Sequence, residues 1–231
     1  MSLPKIAYVM GQYPLVSLTF IQREIAALRA LGLDVITCSM RQTPAEHHQG
    51  AAEKDAVATT YYVLEKLRRP MVLLGAQKLM FRNPKRYLTA LKLAWKMRSP
   101  GLKSIFYQLV YFIEATLLAR HFEETKASHI HAHFTTGATT AAMLTSELTG
   151  IPYSFTLHGP ADFLEPYRWK IGEKAARAEF VATISHYARS QLMFFTHADH
   201  WDRLKIIHCG VELARYDGGN PGQGTKEEGT R

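Results

Sequence analysis

The stretch Ile6-Ala7-Tyr8-Val9-Met10-Gly11-Gln12-Tyr13-Pro14 decides the fold, because it places an apolar run directly before a turn that contains glycine and proline. Five consecutive apolar residues are typical of a strand that is buried on both faces of a parallel sheet. Apolar side chains at helical spacing fill residues 19–31, and a second apolar run at 34–38 predicts another strand. The chain therefore begins as strand, loop, helix and strand, which is the repeating unit of an α/β sheet.

The same alternation continues after a polar stretch at 41–56, which predicts a loop. Further strands are predicted at 57–63, 129–134, 152–157, 180–184 and 204–207. Helices are predicted at 139–148 and 185–195. Alternating strands and helices predict a doubly wound parallel sheet of the Rossmann-like α/β class.

One domain is predicted over residues 1–217, with a helical insertion at about 64–125. The insertion includes the apolar run Ile105–Ala119, which is shorter than the roughly 20 residues of a membrane-spanning helix and therefore predicts a buried one. The tail at 218–231 contains glycine, proline and polar residues but no apolar side chain. Such a segment cannot bury surface, so we expect it to be disordered.

The composition is that of a globular protein, with 47% hydrophobic and 21% charged residues in a chain of 231. Two cysteines, Cys38 and Cys209, are too few for a secreted disulfide framework, which favours a cytoplasmic protein. The first residues lack a basic segment followed by a long apolar one, so no signal peptide is predicted.

The net charge of +8 is concentrated in one segment. Residues 66–103 hold eleven basic residues and no acidic one, so the rest of the chain carries −3. Within this segment, Asn83 and Pro84 predict the start of a helix. The apolar face that we expect to pack on the core consists of Tyr87, Leu88, Leu91 and Trp95. The opposite face consists of Lys85, Lys92 and Lys96.

Two interpretations of this basic helical segment stay open. Basic amphipathic helices that contain aromatic residues suit an anionic membrane surface. A solvated basic face above an ordinary core stripe gives the same pattern. Nucleic acid is not predicted as a partner, because no nucleic-acid-binding motif accompanies the charge.

The loop after the first predicted strand contains Gly11 and Gln12. Ligands of doubly wound sheets bind beyond the carboxyl ends of the strands. A glycine there lets backbone N–H groups approach a phosphate, although a plain turn explains the residue equally well. The loop is not G-x-G-x-x-G, so a nicotinamide dinucleotide site is not predicted.

Three histidines, His129, His131 and His133, share one face of the fourth predicted strand. A metal site is conceivable, but such sites usually draw ligands from other segments, and no acidic or cysteine partner is close in sequence. We therefore predict no metal, and we expect His131 or His133 to reach a cleft. His129 is expected to be a buried, hydrogen-bonded residue.

The most informative stretch for chemistry is Thr156-Leu157-His158-Gly159-Pro160-Ala161-Asp162. A histidine at the mouth of a strand can bond a sugar hydroxyl, and Asp162 can orient a hydroxyl or begin a helix. Near the end of the chain, the predicted strand before Gly210 is followed by a turn that either marks the exit from a domain or is structurally ordinary.

Five stretches, taken in order, carry a resemblance to a known family: Tyr13-Pro14 with Ser17, Thr19-Phe20-Ile21 and Glu24; His129 to Phe134; Gly150 to Gly159 with Asp162; Ala182 to Ser185; and Ile206 to Val211. Together they resemble family 4 glycosyltransferases of the GT-B fold, most closely those of the bacterial exopolysaccharide and colanic-acid type. The resemblance covers about residues 5–217. It implies that this chain is the N-terminal, acceptor-binding half of such an enzyme.

The resemblance implies two Rossmann-like domains that face a cleft. The N-terminal domain binds the acceptor, and the C-terminal domain binds a nucleotide-sugar beside an E-x7-E motif. Transfer retains the anomeric configuration and uses no protein-bound metal and no cofactor besides the nucleotide-sugar co-substrate. Because this chain continues into a glycine-rich tail, we expect the C-terminal donor domain and its E-x7-E motif to be absent.

Carried over by position, the resemblance also implies residue roles. His158 lies beside the transferred sugar as the catalytic residue. The residues that bind the acceptor are His131, His133 and Asp162.

Two further positions follow from the resemblance. The loop of Gly11 and Gln12 lies near the donor phosphates. Gly210 leads into the interdomain linker.

The function expected from this resemblance is transfer of a hexose in the synthesis of cell-surface polysaccharide or lipid-linked glycan. The expected partners are a glycan or lipid-linked sugar acceptor, a nucleotide-sugar, an anionic membrane and a separate chain that supplies the donor domain. The location is cytoplasmic, peripheral on the inner face of the plasma membrane. The alternative is a non-catalytic binding module or a truncated fragment that lacks the donor domain.

Overall fold

A parallel seven-stranded sheet forms the centre of the protein in a computed structural model that describes residues 4–210. Its strands are β1 (Lys5–Gln12), β2 (Asp34–Arg41), β3 (Tyr61–Tyr62), β4 (His129–His133), β5 (Tyr153–Leu157), β6 (Val181–Thr183) and β7 (Leu204–Ile206). They lie in the order β3-β2-β1-β4-β5-β6-β7, and all neighbours are parallel. The predicted Rossmann-like α/β class is confirmed. The tail at 218–231 lies outside the described residues.

Nine α-helices flank this sheet within residues 4–210. They are α1 (Thr19–Ala30), α2 (Ala51–Thr59), α3 (Val63–Leu67), α4 (Pro70–Met80), α5 (Pro84–Met97), α6 (Leu102–Thr125), α7 (Gly137–Thr149), α8 (Ile171–Arg177) and α9 (His186–Met193). The four helices α3 to α6 fill the range that the sequence assigns to an insertion. Short 3₁₀ turns complete the connections.

The alternation of side chains along β1 separates two hydrophobic cores. Ala7 and Val9 face the larger core, which includes residues of α4 to α9. Tyr8 and Met10 face the smaller core, which includes residues of α1 and α2. Because successive strand residues point to opposite faces, helices cover the sheet on both sides.

The region between β2 and β3 differs from its prediction. Residues 51–59 form α2, so the predicted loop at 41–56 holds only up to residue 50, and the predicted strand at 57–63 is shortened to Tyr61–Tyr62. The segment is rich in alanine, which is the strongest helix former, and Ala56 packs into the smaller core. The hydroxyls of Thr59 and Thr60 donate to carbonyls four residues earlier, which continues the helical pattern.

The buried face of α5 also differs from its prediction. The face that packs inward consists of Ala90, Leu93, Ala94 and Met97. Leu88 and Trp95 are instead more than half exposed. The small side chains of Ala90 and Ala94 let α5 pack closely against α7 and α6. Helical periodicity alone favours the face with the larger apolar residues, which is why it predicted the wrong buried face. The predicted helix start is confirmed, because the Asn83 side chain accepts from the backbone N–H of Arg86.

The helix α6 is longer than the apolar run predicted. Its 24 residues make it long and apolar enough to cross a membrane, judged by length and composition alone. Its second half is buried from Phe112 to Phe122 and packs on α7. Its first half is open to solvent, where Leu102 and Phe106 are exposed.

Candidate functional site

The carboxyl ends of three neighbouring strands bring together the residues singled out in the sequence. Gly11 and Gln12 end β1 and are exposed. His133 is the last residue of β4, and His158 directly follows β5. Because β1, β4 and β5 are adjacent and parallel, these residues share one edge of the sheet.

His133 and His158 form a hydrogen-bonded pair at this edge. The Nδ1 atom of His133 lies 2.9 Å from Nε2 of His158, and the two rings are stacked with centroids 5.1 Å apart. Phe20 and Phe134 pack against the His158 ring, with centroids at 4.7 and 4.6 Å. Within residues 4–210, neither Nδ1 of His158 nor Nε2 of His133 has a hydrogen-bond partner, and because Nε2 of His133 is buried, Nδ1 of His158 is the nitrogen available to a ligand.

Asp162 fixes the position of this pair through hydrogen bonds to the backbone beside it. One carboxylate oxygen accepts from the Thr135 backbone N–H at 2.7 Å and hydroxyl at 3.0 Å, and the other accepts from the His158 N–H at 2.8 Å. Asp162 is only 4% exposed, so its carboxylate faces the protein and not the cleft. Burial raises the pKa of this carboxyl, whereas the hydrogen bonds from His158 and Thr135 oppose that shift. In this structure Asp162 therefore positions His158, and its predicted role in acceptor binding stays a prediction.

Lys174 is a supporting residue that sequence analysis missed. It is fully buried, and its Nζ donates to the carbonyls of Thr135 at 2.5 Å and Thr136 at 3.0 Å. Burial lowers the pKa of its ammonium to about 7, against the opposing charge of Asp162. Lys174 follows the buried Ile171 by three residues in α8, and this helical spacing is the sequence signal that could have predicted its burial.

A second set of hydrogen bonds links the other histidines of β4 to β5. Ser154 Oγ lies 2.7 Å from Nε2 of His129 and 2.8 Å from Nδ1 of His131. The remaining nitrogen of His131 lies 2.9 Å from Thr156 Oγ1. Burial, with smaller contributions from His129 and His158, lowers the pKa of His131 to about 3, so this ring stays neutral. Both nitrogens of His131 are thus satisfied by the protein.

One group of side chains has the composition of a metal site. The ligand atoms of Glu24, His131 and His133 all lie within 4.8 Å of one another. However, both nitrogens of His131 are hydrogen-bonded, and Glu24 accepts from the Tyr8 hydroxyl at 2.6 Å. A cation here would have to replace these bonds. The expectation of no resident metal therefore stays a prediction.

A groove of about 1200 Å³ runs along the α1 side of the sheet toward the histidine pair. His131 and Thr156 contribute to its floor, and α1 forms one wall. His158, Cys209 and Gly210 border it at the carboxyl edge. Gly210 is exposed at this border, and its predicted role at an interdomain linker stays a prediction.

The E-x7-E spacing, which we expected to be absent, does occur at Glu165 and Glu173. Glu165 forms an ion pair with Arg168. Glu173 forms ion pairs with Lys96 and Arg177. Both carboxylates thus neutralise surface cations, and neither contacts the histidine pair.

Comparisons with known proteins address the fold and family. The family model for Glycosyltransferase Family 4 matches residues 17–215. No curated protein matches the sequence. A crystal structure of UDP-N-acetylglucosamine 2-epimerase is similar, with a TM-score of 0.51 and 12% identity. The similarity covers 88% of this chain and 48% of the epimerase, so this chain spans about half of that structure, and the likeness shows the fold alone.

The burial of His158 predicts a pH dependence of stability. Burial lowers its pKa from 6.5 to about 4, so between these values the unfolded chain takes up a proton that the folded protein does not. Stability should therefore fall as the pH drops from 7 to 5. In urea unfolding, His158→Asn should lose less stability over this range than the unsubstituted protein. The exposed His186→Asn is the control and should keep the full loss, and equal losses in both variants would contradict the prediction.

Proposed function

Because this chain belongs to glycosyltransferase family 4, we propose that it is the acceptor-binding half of a retaining transferase. The enzyme moves a hexose from a nucleotide-sugar to a glycan or lipid-linked sugar in the synthesis of cell-surface polysaccharide. The observation that carries the proposal is the His133–His158 pair, which Asp162 holds at the carboxyl edge of the sheet beside a large groove. Ligands of doubly wound sheets bind at this edge.

The chemistry of His158 in this proposal is that of a neutral hydrogen-bonding group. Burial lowers its pKa to about 4, so the imidazole is uncharged near pH 7. Its Nε2 is paired with His133, and its other nitrogen meets a hydroxyl of the transferred sugar. The ring therefore orients the sugar and stabilises the transition state by a hydrogen bond, without supplying a proton. On the acceptor side, His133 holds this ring by its hydrogen bond, and His131 lines the groove where the acceptor would lie.

The donor side of the proposal rests on the end of β1. Gly11 and Gln12 are exposed there, and within residues 4–210 no atom beyond the chain neighbours lies within 4 Å of a Cβ built on Gly11. A backbone without a side chain can approach the phosphates of a nucleotide-sugar. Most contacts to the nucleotide come from a donor half, supplied by a partner chain or by a longer form of this polypeptide.

Substitution of His158 tests this function. In a transferase assembled from this chain and a family 4 donor half, His158→Ala should lower kcat by about 100-fold, since one lost transition-state hydrogen bond costs roughly 2.7 kcal/mol or more. The KM for the acceptor should change little. Release of labelled nucleotide from a panel of nucleotide-sugars measures the rate.

The exposed His186→Ala is the matched control and should keep full activity. An unchanged rate for His158→Ala would remove this residue from the chemistry. Saccharide binding without transfer, with every donor half and nucleotide-sugar, would instead identify a non-catalytic binding module.

A peripheral position on the inner face of the plasma membrane is the second part of the proposal. The outer face of α5 carries Leu88, Leu91 and Trp95 beside Lys85 and Lys92, and all five side chains are exposed. The start of α6 adds further exposed apolar residues. Exposed apolar and basic groups together suit an anionic lipid surface, where the acceptor's lipid would lie.

Vesicle binding tests this membrane contact. Each lysine near an anionic surface contributes about 1 kcal/mol, so the double variant Lys85→Glu, Lys92→Glu should bind acidic vesicles at least about tenfold more weakly. Lys96 is left unchanged because it pairs with Glu173 at 2.8 Å. Sedimentation with vesicles at 0.1 M salt measures the binding. The control double variant Lys54→Glu, Lys205→Glu, outside the helical insertion, should keep it, and equal binding to neutral vesicles would contradict the proposal.

A further inference from the structure

A second cavity, of about 620 Å³, lies among the helices of the larger core, whereas the groove lies beside α1 on the other face of the sheet. It is lined by the loop between α5 and α6, the first turns of α6 and the segment at 165–170, and it is open to solvent on one side. Thr140 in the first turn of α7 also lines it. None of the residues assigned so far to a saccharide or a nucleotide lines this cavity.

The charge of this cavity is entirely positive. The cations among its lining residues are Arg98, Lys103, Arg168 and Lys170, and no carboxylate lines it. Arg168 pairs with Glu165 outside the cavity. In the part of the chain that the structure describes, the other three cations form no salt bridge. Three cations without an acidic partner around one cavity favour an anionic ligand.

Aromatic groups with available hydroxyls form the rest of the wall. Tyr107, Tyr111 and Tyr167 line the cavity, and Trp169 lies beside them. Across residues 4–210, the tyrosine hydroxyls that make hydrogen bonds are those of Tyr8, Tyr62, Tyr87 and Tyr153, so the three hydroxyls of this cavity have no partner within the protein. Flat rings and hydroxyls serve a saccharide better than they serve a bare inorganic ion.

The cavity and the histidine pair share a wall. Tyr111 lies against Gly137, where an added Cβ would approach its ring to 2.7 Å. Two residues earlier, Thr135 is bonded to Asp162 beneath His158. The segment from Thr135 to Gly137 thus lies between the two sites.

We propose that this cavity binds the phosphate-bearing portion of the acceptor, a glycosyl phosphate or diphosphate, while the sugar that receives the new residue lies beside His158. Its positive charge and aromatic walls match a phosphorylated saccharide. The proposal rests on the proposed function for the identity of the ligand as an acceptor. The shared chemistry fits both a soluble sugar phosphate and a carrier-linked one.

Calorimetric titration of the full chain tests this site, with glucose 1-phosphate as the probe and glucose as its neutral counterpart. Glucose 1-phosphate should bind and glucose should not. The double variant Arg98→Gln, Lys170→Gln should weaken binding at least tenfold, and Lys103→Gln, which lies at an exposed position, gives an independent single test.

The matched control is the double variant Lys54→Gln, Lys205→Gln, which removes the same charge outside the cavity and outside α5. It should change the affinity less than twofold. Equal weakening in both double variants would overturn the proposal, as would tighter binding of inorganic pyrophosphate than of glucose 1-phosphate. Thermal unfolding of each variant identifies any that has lost its fold. If a double variant is unfolded, the affinity of Lys103→Gln for glucose 1-phosphate tests the proposal in its place.

A further titration identifies the source of the ligand. Tighter binding to neutral vesicles that carry polyprenyl-phosphate-linked glucose than to free glucose 1-phosphate, with no binding to the same vesicles without it, supports a carrier-linked acceptor, and equal binding supports a soluble one. Absence of binding by every phosphorylated probe, with His158-dependent transfer intact, would overturn this cavity's assignment and leave the transferase function standing.

Discussion

The carboxylate of Asp162 joins its own loop after β5 to Thr135 in the loop after β4, 27 residues earlier in the chain, and the geometry of the candidate site depends on it. One oxygen holds the loop after β4 through Thr135, and the other holds the start of the loop after β5 through His158. Lys174 also holds the loop after β4, because its Nζ donates to the carbonyls of Thr135 and Thr136. A buried carboxylate that satisfies three donors is costly to disturb, so it fixes the loops with respect to each other.

The two faces of the sheet serve different purposes at this edge. The helices of the larger core cover one face and bring the basic cavity to the edge. Within residues 4–210, α1 and α2 cover only part of the other face, and a groove lies beside α1. Histidines kept neutral by burial line this groove and pair with hydroxyls of β5. The site thus combines a neutral hydrogen-bonding surface on one side with a cationic one on the other.

Local sequence patterns predicted the sheet and the common edge of Gly11, His133 and His158, because apolar runs and strand–helix alternation act over short distances. The patterns failed where distant packing decides the outcome. Periodicity placed Leu88 and Trp95 of α5 inward, whereas contacts with α7 select the face of Ala90 and Ala94. The partners of Asp162 and the burial of Lys174 depend on residues 27 and about 40 positions away, which no local window contains.

Nitrogen-15 NMR of the histidine rings tests most directly whether Asp162 holds the pair together. Asparagine offers one acceptor oxygen and turns an amide donor toward the N–H of either Thr135 or His158, so Asp162→Asn should release the loop. The ring signals of His133 and His158 should then shift, while those of His129 and His131 and all signals in the exposed Asp202→Asn control stay in place. Unchanged His133 and His158 signals in folded Asp162→Asn would contradict the account.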